Sequence, residues 1–185
     1  MPSANDLRKG MAIKYNSDVV VVLDMQHRTP GNLRAFVQAT IRSLKTGKSA
    51  VVRFSSTEPI EQVMMTTRKL EFSYKDQTGF HFMDPETYDT VTLLPEFVGD
   101  AAFYLTENLP VVLMEVENKP AELELPPAVN LKVVESPPGV KGDTASNVTK
   151  PAKLETGLEV GVPLFIGEGE IVRVDTRTGK YLGRS

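Results

Sequence analysis

Val19-Val20-Val21-Val22-Leu23-Asp24-Met25, then Gln26-His27-Arg28-Thr29-Pro30-Gly31-Asn32-Leu33-Arg34, then Ala35-Phe36-Val37-Gln38-Ala39-Thr40-Ile41: two strand patterns and the polar stretch between them decide the fold. The first is a β-branched run, and the last alternates with the period of a half-buried strand. Lys45-Thr46-Gly47-Lys48 makes a turn into a third strand, Ala50-Val51-Val52-Arg53-Phe54. Further strands are predicted at 68–74, 79–83, 90–93, 111–116, 121–125, 129–134, 153–155, 159–162, 170–174 and 181–183. Short strands with Gly, Pro, Asn and Asp between them are the pattern of small β-barrels. A single helix is predicted at 95–105, where Pro95 opens the first turn and Phe97, Ala101 and Leu105 fall on one face.

Punctuation divides the chain. Ser55-Ser56-Thr57-Glu58-Pro59 is polar and turn-rich, and Pro126-Pro127 cannot continue a central strand. Three segments follow, 1–64, 65–127 and 128–185. The expectation is an all-β chain of three small barrels in a row, each burying too little surface to be independent of its neighbours.

Composition narrows the function. The 185 residues contain no cysteine, which removes disulfides, thiolate zinc sites and cysteine nucleophiles. No apolar run approaches the roughly 20 residues that span a bilayer, and the first fifteen residues lack a signal-like apolar core. A cytoplasmic protein without membrane contact is expected. The net charge of −3 argues against a generic nucleic-acid binder. Its distribution reverses that. Residues 1–54 hold nine basic side chains and three acidic ones, while the remainder holds twelve and twenty-one. A basic first third on an acidic body suggests a polyanion met by one part only, the alternative being a chance imbalance on a solvated surface.

The stretch Gln26 to Arg34 is the candidate site. Pro30-Gly31 sets a tight turn, because proline fixes φ and glycine accepts positive φ. Leu33 is then an apolar residue near a hairpin tip flanked by Arg28 and Arg34. That suits insertion beside stacked bases, with guanidinium groups near phosphates. The competing reading is an ordinary polar hairpin whose Leu33 folds back on its own barrel.

At these residues the chain resembles the bacterial translation elongation factor P family. Asn5-Asp6-Leu7-Arg8-Lys9-Gly10-Met11 is similar to the family's start, and Pro30-Gly31-Asn32-Leu33-Arg34-Ala35-Phe36 to its Pro-Gly-x-x-x-Ala-Phe tip. Thr46-Gly47 and Phe80-His81-Phe82-Met83-Asp84 match further elements. The longest match is Lys150-Pro151-Ala152, Gly157, Val160, Val162-Pro163, Ile166 and Gly169-Glu170, preceded by Gly142-Asp143-Thr144-Ala145. Met1-Pro2-Ser3-Ala4-Asn5 and Tyr181-Leu182-Gly183-Arg184 also resemble the family's elongation factor P-like paralogue.

The resemblance implies an SH3-like (KOW-type) barrel followed by two OB-fold barrels in an elongated L-shape. It implies a monomer that binds the 70S ribosome between the P and E sites, beside peptidyl-tRNA. Pro30, Gly31, Asn32, Leu33 and Arg34 would face the tRNA CCA end, with Arg28, Arg42, Lys45 and Lys48 against RNA backbone. Lys141, Gly142, Asp143, Thr144 and Ala145 would lie near the E-site codon, and Tyr181 and Arg184 near small-subunit RNA. Tyr181 reads equally well as a barrel-edge packing residue. Consecutive prolines stall peptide transfer because their fixed φ misplaces the chain, and holding the acceptor end in near-attack geometry restores rate by orientation. No catalytic residue, cofactor or metal is implied. The chain departs from the family at Asn32, where a modified lysine or arginine is usual. Asn32 accepts neither modification, so the expectation is an unmodified tip acting through Leu33 and Arg34.

Two rival classes find less in the sequence. A free OB-type RNA binder calls for aromatic platforms in a basic groove, yet the later segments are acidic and contain no tryptophan. An enzyme calls for converging titratable groups. Asp84-Pro85-Glu86 and Glu168-Gly169-Glu170 are acidic neighbours of the kind that usually serve only solvation at a surface, and His27 and His81 are isolated.

Overall fold

The computed structural model describes residues 1–139 and 148–185. Its strands are β1 (Ala12–Tyr15), β2 (Asp18–Arg28), β3 (Phe36–Ser43), β4 (Ser49–Ser55), β5 (Gln62–Val63), β6 (Met65–Asp76), β7 (Gly79–Met83), β8 (Thr90–Leu93), β9 (Pro110–Val116), β10 (Lys119–Glu124), β11 (Ala128–Glu135), β12 (Thr149–Leu154), β13 (Glu159–Pro163), β14 (Ile171–Asp175) and β15 (Tyr181–Arg184). They form three five-stranded sheets, in the orders β4-β3-β2-β1-β5, β10-β9-β6-β7-β8 and β13-β12-β11-β14-β15. The all-β, three-sheet expectation therefore holds. By compactness the chain falls into two units, Met1–Arg68 with Leu113–Glu122, and Lys69–Val112 with Leu123–Ser185.

In the first unit, the unbroken valine run of β2 is explained by burial on both faces. Val20 and Val22 enter one core with Leu7, Ile13, Val37, Ile41 and Phe54. Val21, pointing the other way, packs with Ala12, Val63, Val116 and Ala121. A strand buried on both sides needs apolar residues at every position, each contributing about 1.5–3 kcal/mol. The ladder with β3 then bulges between Val22 and Asp24. Past the bulge one face of β2 is open, and polar residues follow. Partners then run Gln26↔Gln38, His27↔Val37 and Arg28↔Phe36.

The N-terminal segment is part of this core. Ser3 bridges Pro59, the Asp6 carboxylate accepts the Ser3 N–H at 2.8 Å, and Ala4 and Leu7 are fully buried.

The second and third sheets share one strand order. In each, the first strand is central, paired on one side to the second and on the other to the fourth (β8-β7-β6-β9-β10 and β13-β12-β11-β14-β15). The edges of the third sheet, β13 and β15, lie against each other. Gly79 opens β7 at φ +141°, and a Cβ there would stand 2.5 Å from the Leu93 carbonyl oxygen, so β7 and β8 pair closely only because no side chain intervenes.

Four details differ from expectation. β1 and β5 are short and lack a β-branched run, and neither is apparent in the sequence. The helix at 95–105 is one α-turn, α1 (Pro95–Val98), followed by a 3₁₀ segment Gly99–Tyr104. Gly99 sits at φ +52°, which breaks the α ladder: Leu105 is buried as expected, but its buried companions are Val98 and Tyr104, while Phe97 and Ala101 are only half-buried. β12 starts earlier than 153–155. Its Pro151 lies beyond the described β11–β12 register, which pairs Val133↔Leu154 and Glu135↔Lys153, where a missing N–H breaks no ladder bond.

Leu7→Ala should destabilise the first unit by about 2–5 kcal/mol, as expected for a buried leucine. Leu33→Ala, at a side chain 72% exposed, should stay within about 0.5 kcal/mol. Denaturant midpoints of both variants check this; equal shifts would contradict the packing.

Candidate nucleic-acid interface

The tip is built by the β2–β3 hairpin. Beyond the Arg28↔Phe36 pair, the Leu33 N–H donates to the Pro30 carbonyl at 2.8 Å, with Gly31 at φ +40° in the second turn position. Glycine takes that positive φ without the steric cost a Cβ would bring. Gly31, Asn32, Leu33 and Arg34 are all exposed. Leu33 points into solvent and does not fold back onto the sheet.

The basic residues differ in what they touch. Arg28 is exposed and donates to Gln26 Oε1 at 2.9 Å. Arg42 is half-buried, and its guanidinium donates to the Ala121 carbonyl at 3.1 Å, so part of its hydrogen-bonding capacity is tied inside the first unit. Lys45 and Lys48 are exposed on the β3–β4 turn, which closes through Ser43 N–H to Lys48 O at 3.0 Å. Sequence reasoning passed over Arg53. Its guanidinium carbon lies 3.6 Å from the Phe36 ring centre, a contact visible only once β3 and β4 are in register.

In the second unit, Tyr181 is half-buried and packs against the core of the third sheet. That is the packing role the sequence allowed as its alternative. Arg184 donates to Glu170 Oε1 at 2.8 Å and lies 4.8 Å from the Phe165 ring centre. Lys141, Gly142, Asp143, Thr144 and Ala145 lie outside the described residues.

The acidic neighbours have local work. Asp84 Oδ1 accepts the N–H of Glu86 and of Thr87. Glu168 accepts the Ser136 N–H, and Glu170 accepts that of Gly167. His81 is buried and held through both ring nitrogens, Nδ1 by Thr92 at 2.9 Å and Nε2 by Thr78 at 3.1 Å and Asp76 at 2.9 Å. Tyr74 stacks on it at 4.5 Å. Among the described residues, no group of three or more His, Asp or Glu is arranged to hold a metal, and no helix is long and apolar enough to cross a membrane.

An all-β chain of three five-stranded sheets, with an exposed, arginine-flanked hairpin tip on its most basic segment, is of the class of proteins assembled from small β modules. Three family models cover it: "Elongation factor P (EF-P) KOW-like domain" over residues 3–60, "Elongation factor P (EF-P) OB domain" over 65–123 and "Elongation factor P, C-terminal" over 129–184. Elongation factor P of Acidobacterium capsulatum is 47% identical over 182 residues, covering 98% of each chain. That of Bdellovibrio bacteriovorus is 41% identical, covering 100% of this chain and 98% of its own. That of Chloroflexus aggregans is 45% identical, covering 98% and 97%. A solved translation initiation factor 5A from Methanococcus jannaschii superposes with a TM-score of 0.49 at 14% identity, over 68% of this chain and 90% of its own. The chain belongs to the elongation factor P family, whose members are non-enzymatic translation factors.

Asp76 gives the second unit a measurable signature. The Thr78 hydroxyl first, then His81, holds its carboxyl well below the usual carboxylate range. A depressed folded-state value means the stabilisation is complete above the unfolded value of about 3.9 and is lost as pH falls through the acid region below it. Asp76→Asn should therefore flatten the acid limb of the stability–pH profile below about pH 4. Unfolding midpoints followed down the acid range check this, and a limb as steep as the parent's would refute the linkage.

Proposed function

We propose that the protein binds the 70S ribosome between the P and E sites as a monomer in the cytoplasm. There it speeds peptide-bond formation at consecutive prolines by positioning peptidyl-tRNA. The observation that carries this is the tip: Leu33, 72% exposed, stands between Arg28 and Arg34 on the segment that holds the chain's positive surplus. Membership of the elongation factor P family supports the ribosome as partner. The three family spans support a reading of the chain as functional segments 1–64, 65–127 and 128–185.

The mechanism is positional. A stalled prolyl acceptor arm is a poorly oriented reactant, and fixing it in near-attack geometry lowers the barrier without any reacting group on the factor. Arg34 supplies a fixed positive charge for the acceptor-end phosphates, and Leu33 supplies an apolar contact against unstacked bases. The neutral amide of Asn32 cannot carry an amine-linked extension, so the tip works at its encoded length. Lys141, Gly142, Asp143, Thr144 and Ala145 face the E-site codon in this reading. Arg184 reaches small-subunit RNA with the guanidinium surface left by Glu170 and Phe165.

Protein made without any modifying enzyme should restore full-length product from a polyproline reporter in a purified translation system. Arg34→Ala should slow it about tenfold, the effect of losing one charge-assisted hydrogen bond of about 1.5 kcal/mol. The protein taken from its own cells should have the mass of its sequence. An added group on residues 30–34 would overturn the unmodified tip. Ribosome binding without rescue would favour the paralogue-like reading with a different stalling motif, and absence of binding would overturn the ribosomal reading itself.

A further inference from the structure

The outward face of β2, β3 and β4 carries a feature separate from the tip. Two cross-strand rows lie side by side on it: Arg28, Phe36 and Ser55 in one, Gln26, Gln38 and Arg53 in the next. The intervening row points inward, with Val37 and Phe54 in the core, so these six side chains share the solvent side. Across the rows Arg53 lies over Phe36, guanidinium carbon to ring centre 3.6 Å. That distance is van der Waals contact. One guanidinium face is held against a half-buried ring, and Arg53 itself remains exposed. Arg28 leans along the same face to Gln26 at 2.9 Å.

A planar cation fixed on an aromatic ring offers an unpaired nucleobase a surface to stack on, with donors at its edge for a phosphate. Gln38, directly opposite Arg53 in register, adds an amide able to both donate to and accept from a base edge. The acidic neighbours do not cancel this. Glu58 is turned to the Ser55 N–H at 3.0 Å, and Asp24 lies one row further from the tip, opposite Thr40. We propose that this face, centred on the Phe36–Arg53 stack with Gln38, is a second RNA site that takes one unpaired nucleotide of ribosomal or transfer RNA, apart from the Leu33 tip. Charge complementarity selects RNA as the occupant: residues 1–54 hold nine basic and three acidic side chains. The proposal rests on the ribosome-binding reading above.

Lysine keeps the charge of Arg53 but has no planar face, so Arg53→Lys separates stacking from simple attraction to phosphate. The full-length protein and its Arg53→Lys and Phe36→Leu variants are bound to 70S ribosomes carrying peptidyl-tRNA, and base reactivity is probed chemically across ribosomal RNA and tRNA. Arg53→Lys should weaken binding about fivefold or more, the lower range for one lost base stack. It should expose one nucleotide protected by the parent, with protections due to the tip unchanged. The molecule holding that nucleotide names the source. Phe36→Leu, checked for an unchanged melting temperature, should expose the same nucleotide. Parent-like affinity and an identical protection pattern with Arg53→Lys would overturn the site while leaving ribosome binding intact. Failure of the parent protein to bind would overturn the underlying reading instead.

Discussion

Two-sided burial of β2 is the constraint on which the first unit depends. Val20 and Val22 on one face and Val21 on the other give one strand two apolar cores. A register slip by one residue would exchange them, placing the wrong side chains in both. The strand is thereby fixed over its first half. The bulge between Val22 and Asp24 marks where two-sided burial ends, and from there the same strand carries polar residues outward. Hence the tip and the basic face are displayed from a ladder whose base cannot shift, the rigid support that a surface loop needs to hold a fixed geometry.

The division of labour among charged residues follows from the same geometry. Arg42, close to the buried half of β2, gives a guanidinium arm to the Ala121 carbonyl. Arg28, Arg34 and Arg53, on or beyond the open half, are exposed. In the second unit Arg184 is engaged by Glu170 and Phe165. Charge alone groups these residues together, whereas their hydrogen bonds separate the structural ones from those whose edges face water.

Much of this was legible in the sequence for reasons that can be named. β7 and β8 were read with the boundaries they have, since Gly79 marks the start of one and the alternation of Thr90-Val91-Thr92-Leu93 is plain. The turn followed from Pro30-Gly31, but the exposure of Leu33 did not, since the same residues also fit a leucine folded back onto its own barrel. β1 escaped because four residues with one β-branched side chain make a weak pattern, even though its partner follows at once (Ile13↔Val20). β5 escaped because its two residues are held only by a distant strand (Gln62↔Ile13), which propensity does not encode. The helix at 95–105 was overextended because a periodic apolar pattern does not register a glycine that turns to positive φ. The Arg53–Phe36 stack escaped altogether, since seventeen residues separate two side chains that the ladder alone brings together.

The shared strand order of the second and third sheets also bears on how the chain acquires its structure. In both, the central strand must wait for the fourth, so Val129 gains Val174 only after the intervening hairpin has been laid down. The strands β1 to β4 instead join nearest neighbours, and only the short β5 returns from afar. Local pairings close small loops and form fast, and distant ones are slow. On a nascent chain the valine-bearing hairpins can therefore assemble while later segments are still being synthesised, whereas the last sheet cannot be completed until Ile171–Asp175 has left the exit tunnel.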